Sequence, residues 1–237
     1  MAELIVRRSF LTLLFIVAAT SLAVAQTPVI TKVSTITTQQ YQTIVITGSG
    51  FGTHAAYTGD SKYISVEDLT MNPIWQAGYS PYHDTITLIV HQWEDTRIVL
   101  GGFSGAWGTL NYTIAAGDTI QIEVWNFQSG LGPAEITTTA VKEPTTTTLT
   151  SSPNPSADGE AVTFTADVTS KAGPPPDGDT VSFMSGKTVL GTGSLSGGSA
   201  IFVTSALKVG TTSVLAVYEG DSDFGGSRSA AVSQVVQ

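Results

Sequence analysis

The chain has 237 residues, 19 acidic and 10 basic, for a formal net charge of −9. That balance argues against nucleic acid or an anionic membrane surface as a partner, because both demand basic patches, so no nucleic acid partner is expected. Hydrophobic residues are 41% and charged ones only 12%, with 24 Gly, 10 Pro and no Cys, a composition of globular β structure that excludes disulfides, a thiol nucleophile and thiolate metal sites.

The N-terminus reads as an export signal. Arg7 and Arg8 form a basic start, Phe10 to Ala19 is an apolar run, and Ala23-Val24-Ala25 supplies the small residues read by a signal peptidase. Cleavage after Ala25 leaves a chain starting at Gln26. The alternative is a retained anchor, since residues 9–25 sit at the lower edge of a membrane span. No later segment is apolar enough to span a bilayer, so after cleavage no membrane insertion is expected and the protein is secreted or displayed at the cell surface. Export without cysteine resembles bacterial practice.

Beyond the signal, no helical period of useful length occurs; short runs of period-2 alternation are broken by Gly, Pro, Asn and Asp. In the first half the spacing predicts strands at 29–33, 43–47, 63–69, 85–91, 97–100, 120–125 and 136–140. In the second half it predicts them at 145–150, 161–168, 180–184, 188–190, 200–204, 211–218 and 229–236. Ile120, Ile122 and Val124 alternate with Gln121, Glu123 and Trp125, and Val162, Phe164, Ala166 and Val168 with Thr163, Thr165, Asp167 and Thr169. Each such strand keeps one face in a core. Seven or so strands per half is the pattern of an all-β chain of two tandem sandwiches.

Val141-Lys142-Glu143-Pro144 and the run Thr145 to Thr148 mark the joint. The proline ends one strand, and β-branched threonines favour an extended, stiff link into the next. The division is therefore a signal at 1–25, a first domain at 26–143 and a second at 144–237. All four tryptophans precede the joint, so the halves are not copies of one another.

The second half carries Thr146-Thr147-Thr148-Leu149, Ser152-Pro153-Asn154-Pro155, Gly159, the strand Ala161 to Val168, Gly178 to Phe183, Leu190-Gly191-Thr192-Gly193, Ala206-Leu207, Val209-Gly210-Thr211 and Val217-Tyr218-Glu219-Gly220-Asp221, closing toward Phe224 and Ser227. In that order these resemble the bacterial Ig-like repeat family. The resemblance implies a seven-stranded, non-catalytic sandwich used for spacing, display or adhesion. The first half resembles the IPT/TIG type of Ig-like domain through Pro28-Val29-Ile30, Ile44 to Gly52, Trp93, Asp95-Thr96, Ile98-Val99 and Gly117-Asp118. It is longer than an ordinary member, with extra material at 53–61 and 70–84.

Residues that suggest chemistry have simpler readings. Gly48-Ser49-Gly50-Phe51-Gly52 lacks the last glycine of a dinucleotide fingerprint and the helix after it, so it reads as a turn tucking Phe51 into the core. Gly186-Lys187-Thr188 mimics the end of a phosphate loop, but the required earlier glycine is Val181, and a hairpin turn is expected. There is no G-x-S-x-G, and of His54, His83 and His91 only His83 adjoins a carboxylate, Asp84. Gly220-Asp221-Ser222-Asp223 has calcium-like spacing without the remaining ligands; Asp221 is read as capping its turn with backbone N–H groups. Asn111-Tyr112-Thr113 matches a glycosylation sequon, meaningful only in a eukaryotic host.

One insertion, Asn72 to Asp84, holds Trp75, Tyr79 and Tyr82 among Gln, Asn, Asp, Gly and Pro. Those three aromatics are the candidate ligand-binding residues, a platform on which sugar C–H faces stack. The competing reading buries them as a minor core over the sandwich edge. No catalytic residue, metal site or cofactor is expected. The leading expectation is thus an exported, non-enzymatic protein of two tandem Ig-like sandwiches for surface display, adhesion or spacing, with an extracellular protein or polysaccharide as partner. The alternatives are a carbohydrate-binding first domain on a stalk and an accessory subunit of an extracellular enzyme; the oligomeric state stays open.

Overall fold

The computed structural model describes residues 26–72, 74–79 and 86–237. The signal read at 1–25, Tyr82, His83 and Asp84 lie outside the described residues. No helix among the described residues is long and apolar enough to cross a membrane.

The first half builds β1 (Val29–Val33), β2 (Ile44–Ser49), β3 (Tyr57–Gly59), β4 (Ile64–Asp68), β5 (Trp75–Gly78), β6 (Ile86–Glu94), β7 (Arg97–Gly105), β8 (Thr119–Val124) and β9 (Ala134–Thr139). They form a five-stranded sheet in the order β1-β2-β7-β6-β3 and a four-stranded sheet in the order β5-β4-β8-β9, with antiparallel pairing throughout. The alternation read from sequence sets the faces: Ile120, Ile122 and Val124 point inward and meet Ile64 and Val66 beside Ile44, Ile46, Leu88 and Leu100 of the facing sheet. Phe51 is fully buried, and Gly50 and Gly52 on either side of it have φ of 75° and 71°. Those positive values are what the glycines supply to the turn.

The second half builds β10 (Thr145–Ser152), β11 (Val162–Ser170), β12 (Thr180–Ser185), β13 (Thr188–Ser194), β14 (Ser199–Thr204), β15 (Gly210–Gly220), β16 (Gly225–Arg228) and β17 (Val232–Val236). One sheet runs β10-β11-β14 and the other β13-β12-β15-β16. The 11-residue β15 pairs β17 along its first half and β16 along its end. Phe164, Phe183, Ala166, Val181, Val214 and Tyr218 fill a second core, separate from the first. The Tyr218 hydroxyl donates to Asp179 at 2.7 Å; burial first, then this carboxylate, pushes the phenol pKa well up. Gly186 has φ of 58° in a tight turn between Ser185 and Thr188, the expected hairpin.

Gly191 and Gly193, two of the residues that carry the second-half resemblance, have a packing reason. A Cβ on Gly191 would run into the Phe202 ring, and one on Gly193 would lie 2.6 Å from the Ile201 carbonyl oxygen. The bare backbone of β13 is what lets it close against β14. Gly191→Ala is expected to displace the Phe202 ring and to cost about 1–3 kcal/mol of second-sandwich stability. The urea midpoint followed by circular dichroism checks it; an unchanged midpoint contradicts the close approach.

Candidate functional site

The aromatic insertion gives the first result. Trp75 is 1% exposed and starts β5, a strand whose four residues are all buried. Its Nε1 donates to the Thr113 carbonyl at 3.2 Å, and its ring meets Phe103 and Trp107 edge-on at 5.8 and 5.7 Å. The expectation of a stacking face at Trp75 is therefore corrected: the indole is spent on the core and presents nothing to a sugar. Tyr79 remains 42% exposed, with its ring 6.1 Å from that of Trp125. It pairs with a tryptophan that was not among the expected platform residues.

Two of the three histidines, His54 and His91, lie among the described residues. His54 lies 4.0 Å from the Phe127 ring, with its Nδ1 2.6 Å from the Ala55 carbonyl oxygen. His91 is exposed at a register shift of β6 against β7, and a Cβ on Gly101 would strike its ring. The register shift re-aims this side chain, as β-bulges do.

Asp221 caps its turn as expected. Its Oδ1 accepts from the backbone N–H of Asp223 at 2.8 Å and of Phe224 at 2.6 Å. What the sequence did not reveal is where that turn sits. The Asp223 carbonyl accepts from the Glu143 N–H of the joint at 2.7 Å and from the Thr38 hydroxyl of the first sandwich at 2.8 Å. Gly225 N–H returns a bond to the Glu143 carbonyl at 2.8 Å, and Lys142 Nζ donates to the Asp221 carbonyl at 2.5 Å. On the other side, Val141 N–H donates to the Ile36 carbonyl at 3.0 Å. Val141 is thus stitched to the first sandwich, and Lys142 and Glu143 to the second.

Beside the joint lies a cleft of about 810 Å³. Its walls come from 34–43, His91 and Gly101 on the first sandwich and from 143–146 and 169–172 on the second. It is rich in hydroxyls, and Tyr41 at its rim is 66% exposed.

Comparison with known proteins bears on the second sandwich. Residues 146–237 match the bacterial Ig-like domain (group 3) family. This bacterial Ig-like match begins within β10 and runs to the C-terminus, taking in the turn of Asp221. No curated protein matches the chain. Among solved structures, the chain is similar to fibronectin(III)-like modules of Clostridium thermocellum CbhA, with 13% identity, coverage of 89% of this chain and 94% of that one, and a TM-score of 0.32. It is also similar to the mouse nectin-like molecule 4 ectodomain, with 10% identity, coverage of 90% and 64%, and a TM-score of 0.30. A further similarity is to the Escherichia coli adhesin FdeC, with 12% identity, coverage of 89% and 63%, and a TM-score of 0.28. The fold is all-β, of Ig-like sandwiches.

Proposed function

We propose that this is an exported, non-catalytic protein in which two Ig-like sandwiches, 26–143 and 144–237, form a stiff spacer that displays its outer end away from a cell or a partner. The observation that carries the reading is the joint. Its backbone is hydrogen-bonded at Val141 to the first sandwich and at Glu143 to the second, while Thr38 reaches the same Asp223 carbonyl directly. A swivel between domains leaves such groups to water, whereas this joint spends them on fixing an angle. The bacterial Ig-like match over 146–237 supports a display or adhesion role, and the turn formed by Gly48 to Gly52 suits the IPT/TIG-like assignment of 26–143.

Export is tested by expressing the full chain in a bacterial host and treating intact cells and the culture medium with a protease. The chain is expected in the medium or in a form that protease removes from intact cells. A chain that stays protected until lysis contradicts the reading. The sugar-platform alternative loses its central residue with the burial of Trp75.

A further inference from the structure

At the joint end of the first sandwich the fold brings two carboxyls together beneath the surface. Asp68 closes β4 and is fully buried, and Asp118, just before β8, is 8% exposed. The β4–β8 ladder ends between them, with Leu69 N–H donating to the Thr119 carbonyl at 2.9 Å and Thr119 N–H to the Thr70 hydroxyl at 2.8 Å. Backbone donors satisfy one oxygen of each acid: Thr70 N–H donates to Asp68 Oδ1 at 2.9 Å and Ala115 N–H to Asp118 Oδ2 at 2.6 Å. Asp68 Oδ2 is buried with no hydrogen-bond partner among the described residues. The side chain that acts on this carboxyl is Asp118, itself acidic, and no basic group is among its neighbours. An enclosed carboxylate oxygen without a donor, set beside a second carboxylate, costs free energy that folds normally avoid, and a bound cation removes both costs at once. Without a cation, the pair is relieved by taking up a proton.

We propose that Asp68 and Asp118 hold a calcium ion. The donor set selects the metal. Among the described residues no third acid, histidine or cysteine joins the pair, so carbonyl, hydroxyl and water oxygens complete the shell, an all-oxygen set suited to calcium or magnesium rather than to zinc or copper. Magnesium keeps several waters in a near-ideal octahedron, for which the enclosed Asp68 leaves little room; calcium accepts irregular, carbonyl-rich shells. Two carboxylates set the strength, a dissociation constant of about 10⁻⁴–10⁻³ M, the range of extracellular modules. Leu69, Thr70, Ala115, Ala116 and Gly117 beside the pair are exposed, so an ion enters through one layer of loop. The Asp118 carbonyl accepts from Ala140 N–H at 2.9 Å, and Gly117 N–H donates to the Ala140 carbonyl at 2.9 Å. Calcium at Asp118 therefore braces the segment that leads into Val141. The site stands independently of the spacer reading.

The test uses the purified protein, stripped with EDTA and dialysed, and calcium chloride as the probe. Calorimetry is expected to show calcium binding in the stated range, and about 5 mM calcium is expected to raise the first-sandwich Tm, read by tryptophan fluorescence at pH 7.5, by at least about 3 °C. Asp68→Asn and Asp118→Asn each keep an oxygen for the backbone donor and remove one charge; in each, calcium affinity is expected to fall tenfold or more and the Tm gain to vanish. Magnesium at the same concentration is expected to bind at least tenfold more weakly. Absence of calcium binding, binding that survives in both variants, or equal binding of magnesium overturns the proposal.

Discussion

Trp75→Ala is expected to destabilise the first sandwich by about 3–5 kcal/mol, the usual cost of emptying a large buried aromatic site. The indole is fully enclosed, with Phe103 and Trp107 against its ring and the Thr113 carbonyl on its nitrogen. Truncation opens a cavity and leaves that carbonyl without its donor. The remaining three tryptophans also lie in the first half, so their fluorescence in a urea titration reports that sandwich alone. The midpoint is expected to fall sharply while the second-sandwich transition stays in place. An unchanged midpoint places Trp75 on the surface and restores it as a stacking residue.

The second large effect is electrostatic. Asp68 ends β4 fully buried, its Oδ1 accepting from Thr70 N–H at 2.9 Å and its Oδ2 without a partner among the described residues. Burial pushes its carboxyl pKa up to about 6; the Thr70 bond opposes this, and the neighbouring Asp118 carboxylate adds to the rise. A folded-state pKa above the ordinary value of 3.8 means the native state binds the proton more tightly than the unfolded chain. The stabilisation is complete below that ordinary value and is lost as pH rises through about 6. The first-sandwich Tm is therefore expected to rise by several degrees between pH 7 and pH 5. In Asp68→Asn, which keeps the Thr70 bond and carries no charge, the Tm at pH 7 is expected to be higher and that slope gone. An equal slope in wild type and Asp68→Asn contradicts the assignment.

Much of the fold was legible because a half-buried strand shows its alternation wherever large apolar residues occupy the inner face. Ile120, Ile122 and Val124, and Val162, Phe164, Ala166 and Val168, are all fully buried as the spacing required. The strands that escaped are those without that signal. Tyr57–Gly59 has three residues, Gly225–Arg228 has no apolar side chain, and Trp75–Gly78 is buried on both faces. Gly, Pro and polar neighbours made the last look like a loop, and an amphipathic indole does not reveal from sequence whether it is core or surface.

In the sequence, Pro144 and the threonines after it mark a joint. Its partners were not visible. Thr38 and Asp223 meet across 185 positions, and nothing local in either segment announces the other. The same holds for the cleft, where Tyr41, His91, Glu143 and Lys171 come together from four segments that share no motif. Glu143 reads in sequence as an ordinary linker charge; only the packing of two domains around it makes it a buried one.

The measurement that bears most directly on a fixed two-domain spacer is the distance distribution between the sandwiches. The chain has no cysteine, so Lys62→Cys and Lys187→Cys, both at exposed positions, place one spin label on each sandwich for pulsed electron–electron resonance. A single narrow distance is expected, broadening in Asp221→Ala, which frees the turn that holds the Asp223 carbonyl against the joint. A broad or multimodal distribution in the chain with Asp221 intact contradicts a fixed angle, and with it the spacer role.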